Sequence, residues 1–442
     1  MSAGIESTEG AIGTAEAAEA AGVGELSEFE VARDSGELTS AQIDRGFFLL
    51  ALTSFVYYVG FQINQAIQPN FFRDVIGLNG AQNGYIVAIR EVPGFLLIFV
   101  AAFLLRKGLS RAASIALLIT GVGFCLFAFT NSFYQLIIPT LISSVGYHSF
   151  MQLQPALGLS LTRKGNEGTL LGRINGIGFL GSLLGLVGVF ILLTWIERKY
   201  GTLTGYQDPY LRGLFFVMLI SGVIGAILIS RFPMSRTDRA SAASAPRIVW
   251  RKEYYLYYAL TFLDGGRQQI YFAFAPFVLV EEFNVDTRTM TLLLIITALL
   301  NWRAGPPIGR LVDRIGERRF LTAAYIAHFF VFLGFALSRN VWLLYGFYLG
   351  YQFLFLFSVG TTTYLKKIAR REDIAPSLAM GVSLAHVTAI IVPVLGSALW
   401  SRLGYQFPFL FGTVFVVISL ILTQRINPST QGFNAKPAPR SS

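Results

Sequence analysis

The sequence is poor in the residues that build disulfides and most protein metal sites. Cys125 is the only cysteine among 442 residues, so an intrachain disulfide and a cysteine-based metal site are both excluded. Only three histidines occur, His148, His328 and His386, each in a hydrophobic run. None has a histidine four residues away, so the H-E-x-x-H zinc motif is absent. We therefore expect no metal site, no cofactor and no enzyme activity.

Charge is also scarce. Charged residues make up 14% of the chain and hydrophobic residues 54%, whereas soluble globular domains carry about 25% charged residues. The mean hydropathy is +0.57, and the apolar excess extends over nearly the whole chain. A single membrane anchor cannot produce that distribution, so the composition predicts a protein that crosses the membrane many times.

The acidic residues are concentrated at one end. Residues 1–44 hold ten of them against Arg33 alone, and residues 1–38 are rich in Ala, Gly and Glu, which predicts a disordered acidic tail over 1–44. The rest of the chain is strongly basic. Its basic residues lie in short turns between hydrophobic runs, as in membrane proteins, so we expect no nucleic-acid partner.

Twelve hydrophobic segments approach the roughly 20 residues that a membrane-spanning helix needs. The sequence therefore predicts an all-α membrane protein with twelve transmembrane helices. The predicted spans are 46–68, 82–105, 112–130, 133–160, 169–195, 211–231, 253–280, 287–309, 319–338, 342–364, 374–400 and 405–424.

Loop charge predicts the orientation. The loops after the even-numbered spans carry clusters of Arg and Lys, whereas the loop with Glu281, Glu282 and Asp286 is acidic. Basic loops face the cytoplasm, so we expect an integral protein of the plasma (inner) membrane with both termini cytoplasmic. Four tryptophans lie at span ends, where indole rings favour the membrane interface: Trp195, Trp250, Trp342 and Trp400.

The chain repeats itself at an offset of just over two hundred residues. Ala51-Leu-Thr53 recurs as Ala259-Leu-Thr261, and Gly146-Tyr147-His148 recurs as Gly350-Tyr351-Gln352. The repeats predict two pseudo-symmetric six-helix bundles with a substrate site between them. The predicted division is a bundle over 45–231, a cytoplasmic linker over 232–250, a second bundle over 251–425 and a disordered tail over 426–442.

One turn carries a recognisable motif. Residues 309–319 read Gly-Arg-Leu-Val-Asp-Arg-Ile-Gly-Glu-Arg-Arg, which closely resembles the loop signature G-x-x-x-D-[RK]-x-G-x-[RK]-[RK] of the major facilitator superfamily. The resemblance extends over about residues 45–425 and implies a cytoplasmic latch that must break before the protein opens on that side. The latch residues would be Gly309, Asp313, Arg314, Gly316, Arg318 and Arg319. The alternative is a basic loop that only fixes topology.

The first half holds a copy of this motif, because Arg106-x-Gly108-x-x-Arg111 recurs as Arg314-x-Gly316-x-x-Arg319. The copy departs from the pattern, with Ala101 and Leu105 in place of Gly309 and Asp313. The latch is therefore expected to be asymmetric. In the fifth span, a series of glycines suits close helix packing: Gly172, Gly176, Gly181, Gly185 and Gly188.

Polar side chains within spans are costly and are functional candidates. On the seventh span Asp264, Arg267, Gln268 and Tyr271 share roughly one helical face. The resemblance places that span beside the cavity, so Arg267, Gln268 and Tyr271 are substrate-binding candidates. Asp264 is the leading candidate for proton coupling, and the alternative is a static ion pair between Asp264 and Arg267.

The first half offers further candidates. Tyr58, Gln62 and Gln65 form a stripe on the first span, and His148 and Gln152 share a face of the fourth; packing against other helices is the alternative reading of both. Glu91 is a second proton-coupling candidate, because we expect its neighbour Arg90 to point about 100° away and not to pair with it. Arg303 and His386 are isolated candidates.

The resemblance implies a secondary active transporter that moves a small solute by alternating access. No phosphate-binding loop is present, so we expect coupling to an ion gradient such as protons. The expected partners are a small-molecule solute, the lipid bilayer and the coupling ion, and the protein is expected to be a monomer. The alternatives are a non-transporting receptor or scaffold on the same fold and, less favoured, a membrane enzyme.

Overall fold

The computed structural model describes residues 38–96, 108–161, 167–200, 207–234, 250–370 and 373–427, and within these ranges the secondary structure is entirely helical. The described residues form thirteen α-helices. These are α1 (Ser40–Asn70), α2 (Gly80–Phe95), α3 (Leu109–Phe127), α4 (Phe133–Leu159), α5 (Glu167–Tyr200), α6 (Gln207–Ser230), α7 (Tyr255–Glu281), α8 (Thr287–Ile315), α9 (Glu317–Leu337), α10 (Val341–Leu354), α11 (Val359–Ile368), α12 (Ile374–Leu403) and α13 (Gln406–Thr423).

These helices correspond one by one to the predicted spans, with α10 and α11 joined by the 3₁₀ turn Phe355–Ser358 into a single span. Eight helical segments of the described chain are long and apolar enough to cross a membrane by themselves, and bent α8 makes a ninth. It bends by 48° between Gly305 and Pro307, where two consecutive prolines interrupt helical hydrogen bonding. The predicted fold class, twelve membrane-spanning helices, is confirmed.

Local sequence signals account for several helix ends. A capping box of Thr39 and Gln42 opens α1, and Asn79 and Gln82 form a second one at the start of α2. Side chain and backbone satisfy each other reciprocally in such a box. Gly316 ends α8 with a φ of 78°, a left-handed conformation that favours glycine. The motif glycine therefore makes the tight turn between α8 and α9.

Helix α1 packs against α5 and α6, and α3 packs against α4 and α6. The approach of α1 to α5 depends on glycine: a Cβ at Gly181 would lie 2.2 Å from the Phe55 carbonyl oxygen, and one at Gly185 would lie 2.6 Å from that of Val59. The predicted close packing is confirmed at these two positions, a small-xxx-small pair. By contrast, a Cβ at Gly188 would meet nothing within 4 Å.

In the second half α7 packs against α12 and α13, and α9 packs against α13. A buried carboxylate fixes the start of α7 to the start of α12. Asp373 accepts a 2.7 Å contact from Arg251 Nε and a 3.0 Å hydrogen bond from the Tyr254 hydroxyl. The chain that enters the second half is thereby held by two side chains.

Contacts join the two halves at the end where α1 ends and α2 begins. Asn70 Nδ2 donates to the Val285 carbonyl at 2.9 Å, and Arg73 donates to Asn284 Oδ1 at 2.9 Å. Asn284 has a φ of 52° in the turn between α7 and α8. Glu197, at the end of α5, pairs with Arg288 at the start of α8. This end of the bundle is therefore closed by polar contacts across the halves.

The same end is packed tightly through α2. Asn83 Nδ2 donates to the Ala273 carbonyl at 2.6 Å. A Cβ at Gly80 would lie 2.2 Å from the Trp400 ring, and one at Gly84 would lie 2.1 Å from Ser397 Oγ. Trp400 is buried with 8% exposure, so the prediction that it sits in the lipid interface is wrong: it packs between the halves.

The predicted tails and linker lie largely outside the described residues, as do residues 97–107 with Ala101 and Leu105 of the first-half motif. The division into two bundles at 232–250 therefore stays a prediction. At the opposite end, the motif turn at Gly316 borders a cavity of about 900 Å³ that is lined by second-half residues alone.

Candidate functional site

A buried ion pair lies within α7. Arg267 Nη2 is 3.1 Å from Asp264 Oδ1, and the two side chains are 8% and 17% exposed. The i,i+3 spacing brings both side chains to one face of the helix. The predicted pair between Asp264 and Arg267 is confirmed.

Two further helices supply donors to this carboxylate. The Tyr325 hydroxyl of α9 lies 3.0 Å and 3.3 Å from the two oxygens of Asp264, and Thr361 Oγ1 of α11 lies 3.3 Å from Oδ2. The Arg267 guanidinium also lies 5.0 Å from the centre of the Tyr325 ring, within cation–π range. Asp264 therefore stands at the junction of α7, α9 and α11.

The coordination of Arg267 is incomplete. Its Nε and Nη1 atoms are buried and make no hydrogen bond within the described residues, and the same holds for His328 Nε2. Buried polar atoms without partners cost free energy, about 1–3 kcal/mol each; the two guanidinium nitrogens are donors, whereas His328 Nε2 is an acceptor because Nδ1 donates to the Ala324 carbonyl. The cluster can therefore still accept a hydrogen-bonding group from a solute or from water.

Tyr271 is fully involved in packing. Its ring stacks on Tyr351 at 3.6 Å, and its hydroxyl donates to the Tyr348 carbonyl at 2.7 Å. Gln268 is half-buried and makes no hydrogen bond to any described residue. Of these two candidates, Gln268 is the one whose amide is free for a ligand.

In the first half the Tyr58 hydroxyl contacts Gln154 Oε1 at 3.4 Å, and Gln154 Nε2 donates to Ser54 Oγ at 2.8 Å. This buried chain of hydrogen bonds ties α1 to α4. Gln62 and Gln65 are half-buried and, among the described residues, have no hydrogen-bond partner. Their amides are therefore available to a solute.

The fourth span differs from its prediction in one respect. Gln152 is exposed, whereas its neighbour Gln154 is buried and bonded. Gln152 lies one turn beyond His148 on the same face of α4. The sequence did not single out Gln154.

Glu91 contradicts one prediction directly. Arg90 donates to Glu91 Oε1 through Nε at 3.1 Å and through Nη2 at 2.9 Å. The expectation that Arg90 points away is wrong, because the long arginine side chain curls back over its neighbour although their Cβ atoms diverge. The pair removes the reason for ranking Glu91 as a proton-coupling candidate.

The second oxygen of Glu91 faces two histidines. His148 Nε2 lies 3.6 Å and His386 Nδ1 lies 3.4 Å from Glu91 Oε2. His386 belongs to α12 in the second half, so this cluster crosses between the halves. His386 was an isolated candidate in the sequence, and the packing of α2 against α12 is what brings it to Glu91.

The motif residues lie at the end of α8, in the turn at Gly316 and at the start of α9. Arg318 contacts Gln424 Oε1 at 3.4 Å, while Asp313, Arg314 and Arg319 are exposed. Within the described residues Asp313 makes no ion pair or hydrogen bond, and its latch role stays a prediction. Buried Glu317, at a variable motif position, pairs with Lys367 of α11 at 2.7 Å; the sequence did not predict this pair.

Comparisons with known proteins agree with the fold. The sequence profile described as Major Facilitator Superfamily matches residues 50–360 and 257–441. An MFS-type transporter of Methanocaldococcus jannaschii is 29% identical over 119 residues, 26% of this chain and 29% of that relative. The aligned region thus covers less than a third of the relative.

Two solved structures share the architecture. A single-residue mutant of the nucleoside transporter NupG superposes with a TM-score of 0.69 at 14% identity, over 86% of this chain and 99% of that structure. A D-xylose–proton symporter superposes with a TM-score of 0.66 at 15% identity, over 87% of this chain and 99% of that structure. At these identities the likeness concerns the fold alone.

Proposed function

The chain belongs to the Major Facilitator Superfamily, and from that premise we propose that it is a secondary transporter that carries a small solute by alternating access. The observation that carries the proposal is the buried Asp264–Arg267 pair with its incompletely bonded guanidinium. Charges inside a membrane span are expensive and are retained where they act on a substrate or an ion.

The arrangement of contacts supports alternating access. The end with Asn70, Arg73 and Trp400 is closed between the halves, as one of the states of alternating access requires. We assign the closed end to the outer face, because the opposite loops are basic. This conformer would then be the one that is closed to the outside.

Asp264 is the proposed site of proton coupling. Its carboxylate accepts from Tyr325 and Thr361 and faces Arg267, so a change in water access to this cluster would alter its charge balance. One of the structural neighbours is a proton symporter, which is consistent with such coupling on this fold. We extend the proposed binding face to Gln62, Gln65 and Gln268, whose amides are unbonded within the described chain.

Transport by the full chain in proteoliposomes tests the function. A thermal-shift screen of solutes in detergent first identifies a ligand, because ligand binding stabilises the folded state. Uptake of that solute should then be measured with and without a pH gradient. Binding without flux would refute transport and favour the receptor alternative, and flux that ignores the gradient would refute proton coupling.

Orientation has its own test. Single cysteines introduced at 232–250 and 196–210 in a Cys125→Ser background should be labelled by an impermeant thiol reagent from opposite sides of the membrane. Labelling of both segments from one side would contradict the twelve-span topology.

A further inference from the structure

The cluster of Glu91, His148 and His386 contains three potential metal-ligand atoms that all lie within 4.8 Å of one another. Glu91 and His148 side chains are 6% and 7% exposed, and that of His386 is 17% exposed. Two imidazoles and one carboxylate form a ligand set that zinc takes in proteins.

The hydrogen bonds of His148 determine its tautomer, and therefore whether the ring nitrogen that faces Glu91 carries a proton or a lone pair. Ser144 Oγ donates to the Arg90 carbonyl, so this hydroxyl can only accept from His148. His148 Nδ1 lies 2.9 Å from that hydroxyl and 3.0 Å from the Ser144 carbonyl. Nδ1 must therefore carry the proton, because both neighbours accept. In the neutral ring, Nε2 is then unprotonated and points at Glu91.

In this geometry the lone pair of His148 Nε2 faces a lone pair of Glu91 Oε2, with no proton between them. His148 Nε2 faces Glu91 Oε2 at 3.6 Å. His386 Nδ1 lies 3.4 Å from the same oxygen and has no hydrogen bond within the described residues. A cation placed between the three atoms would bind the facing electron pairs of His148 Nε2 and Glu91 Oε2 and take His386 Nδ1 as a third ligand.

The spacing suits a small transition-metal ion. Bond lengths of about 2.0–2.2 Å in a tetrahedral site separate neighbouring ligand atoms by roughly 3.4 Å. The two carboxylate–imidazole distances, 3.6 Å and 3.4 Å, match that separation. The two imidazole nitrogens lie at most 4.8 Å apart, which a small rotation of either ring can reduce.

The surroundings resemble the outer shell of a metal site. Arg90 holds Glu91 by Oε1 and leaves Oε2 for the ion, and Ser144 orients His148 through Nδ1. Such partners fix the orientation of metal ligands. Gly94 provides room: a Cβ there would lie 2.8 Å from His148 Nε2 and 2.7 Å from His386 Cε1.

We propose that Glu91, His148 and His386 bind a divalent transition-metal ion of the zinc class, which fastens α2 and α4 of the first half to α12 of the second. The fourth ligand position is open to water. Because the ion binds residues from both halves, it stabilises the arrangement in which they are adjacent. Zinc should therefore slow any step that separates α12 from α2, and this last consequence rests on the proposed transport function.

Metal titration of the full-length protein tests the site without any transport assay. The protein, with its affinity tag removed and stripped by chelator, is titrated with Zn²⁺ in a calorimeter and with Co²⁺ in a spectrophotometer. We expect one Zn²⁺ per chain and the intense visible bands of tetrahedral Co²⁺. His148→Gln and His386→Gln should each weaken binding at least about 10-fold.

His328→Gln is the matched control, because His328 lies in α9 with Nδ1 bonded to the Ala324 carbonyl, and it should bind zinc as the wild type does. Melting curves and gel filtration of the metal-free proteins establish that each variant is folded. The Co²⁺ spectrum of the wild type tests the site even if a variant does not fold. Absence of saturable binding, or unchanged binding by both His148→Gln and His386→Gln, would overturn the site.

A flux assay separates the site from its consequence. Zn²⁺ should inhibit wild-type transport and leave the flux of His386→Gln insensitive. Zinc binding together with zinc-insensitive wild-type flux would overturn the fastening of the halves. Absence of flux in every sample, with zinc still bound, would refute the proposed function and leave the metal site standing.

Discussion

Replacement of Asp264 by Asn tests whether the buried pair of α7 couples transport to protons or only holds the helix. The amide keeps the shape of the carboxyl group: its oxygen in the Oδ1 position can still accept from Tyr325, now at 3.0 Å, and its nitrogen in the Oδ2 position can donate to the Thr361 hydroxyl, now at 3.3 Å. It removes the charge that faces Arg267 at 3.1 Å. The substitution therefore isolates the ion pair from the hydrogen bonds.

The expected cost follows from burial. Arg267 is only 8% exposed and already has two unbonded nitrogens within the described chain. Loss of one partner of a buried ion pair costs about 3–5 kcal/mol, and the two retained hydroxyl contacts favour the lower end. A static pair therefore predicts a loss of about 3 kcal/mol, with Asp264→Asn/Arg267→Gln more stable than Asp264→Asn alone.

Cys125 is buried and is the only cysteine, so a thiol-reactive fluorophore reports unfolding without further labels. The matched control is Asp208→Asn, which breaks the more exposed pair of Asp208 with Arg212 and should cost no more than about 1 kcal/mol. Equal losses for Asp264→Asn and Asp208→Asn would refute the burial argument.

Transport divides the two roles of Asp264. A coupling residue predicts that Asp264→Asn loses pH-driven uphill accumulation and keeps downhill exchange, whereas a static pair predicts that stability and both activities fall together. Uphill, pH-driven transport by a well-folded Asp264→Asn protein would eliminate the coupling role.

Three further outcomes are expected. Gly181→Ala should destabilise the fold by about 1–3 kcal/mol, because its Cβ would lie 2.2 Å from the Phe55 carbonyl oxygen. The control Gly188→Ala, whose Cβ would meet nothing within 4 Å, should be neutral or stabilising. Equal thiol-reactivity melting curves for the two variants would contradict this expectation. Burial raises the pKa of Glu281, just beyond the seventh predicted span, from 4.5 to about 7. The contribution of Glu281 to stability is therefore full below pH 4.5 and is lost as pH rises through about 7. The melting temperature should fall from pH 6 to 8 in the wild type and less in Glu281→Gln, and identical profiles would refute the assignment. Asp313→Asn should lower proteoliposome flux while expression persists, and normal flux would reduce the motif to a topology signal.

The spans could be predicted because their signals are local. Each is a hydrophobic run of membrane length, and the Thr39–Gln42 box and the motif Gly316 mark helix ends within a few residues. The pair of Asp264 with Arg267 was predictable for the same reason, since i,i+3 neighbours share a helix face.

The rest of the site depends on helix packing, which no local pattern encodes. Tyr325 and Thr361 reach Asp264 from helices that lie far along the chain, and His386 reaches Glu91 only because α2 packs on α12. The Arg90 prediction failed for a different reason: Cβ directions decide where a side chain starts, but a long arginine can turn back to its neighbour.

The two charged clusters place different demands on alternating access. Asp264, Arg267, Tyr325 and Thr361 all belong to the second half, so halves that move as units would leave this cluster intact. Arg267 would then not be withdrawn from Asp264 during the cycle, and proton exchange would have to follow a change in water or solute access.

The contact of Glu91 with His386 joins α2 to α12, so the same motion would have to break it on every cycle. A cross-half disulfide between the same two helices can be built from cysteines that replace Gly84 and Ser397, because Ser397 Oγ lies 2.1 Å from a Cβ built at Gly84. This disulfide should therefore stop transport while leaving the Asp264 cluster intact. Full transport after this disulfide forms would show that α2 and α12 need not separate, and that rocking of the two halves is not the mechanism.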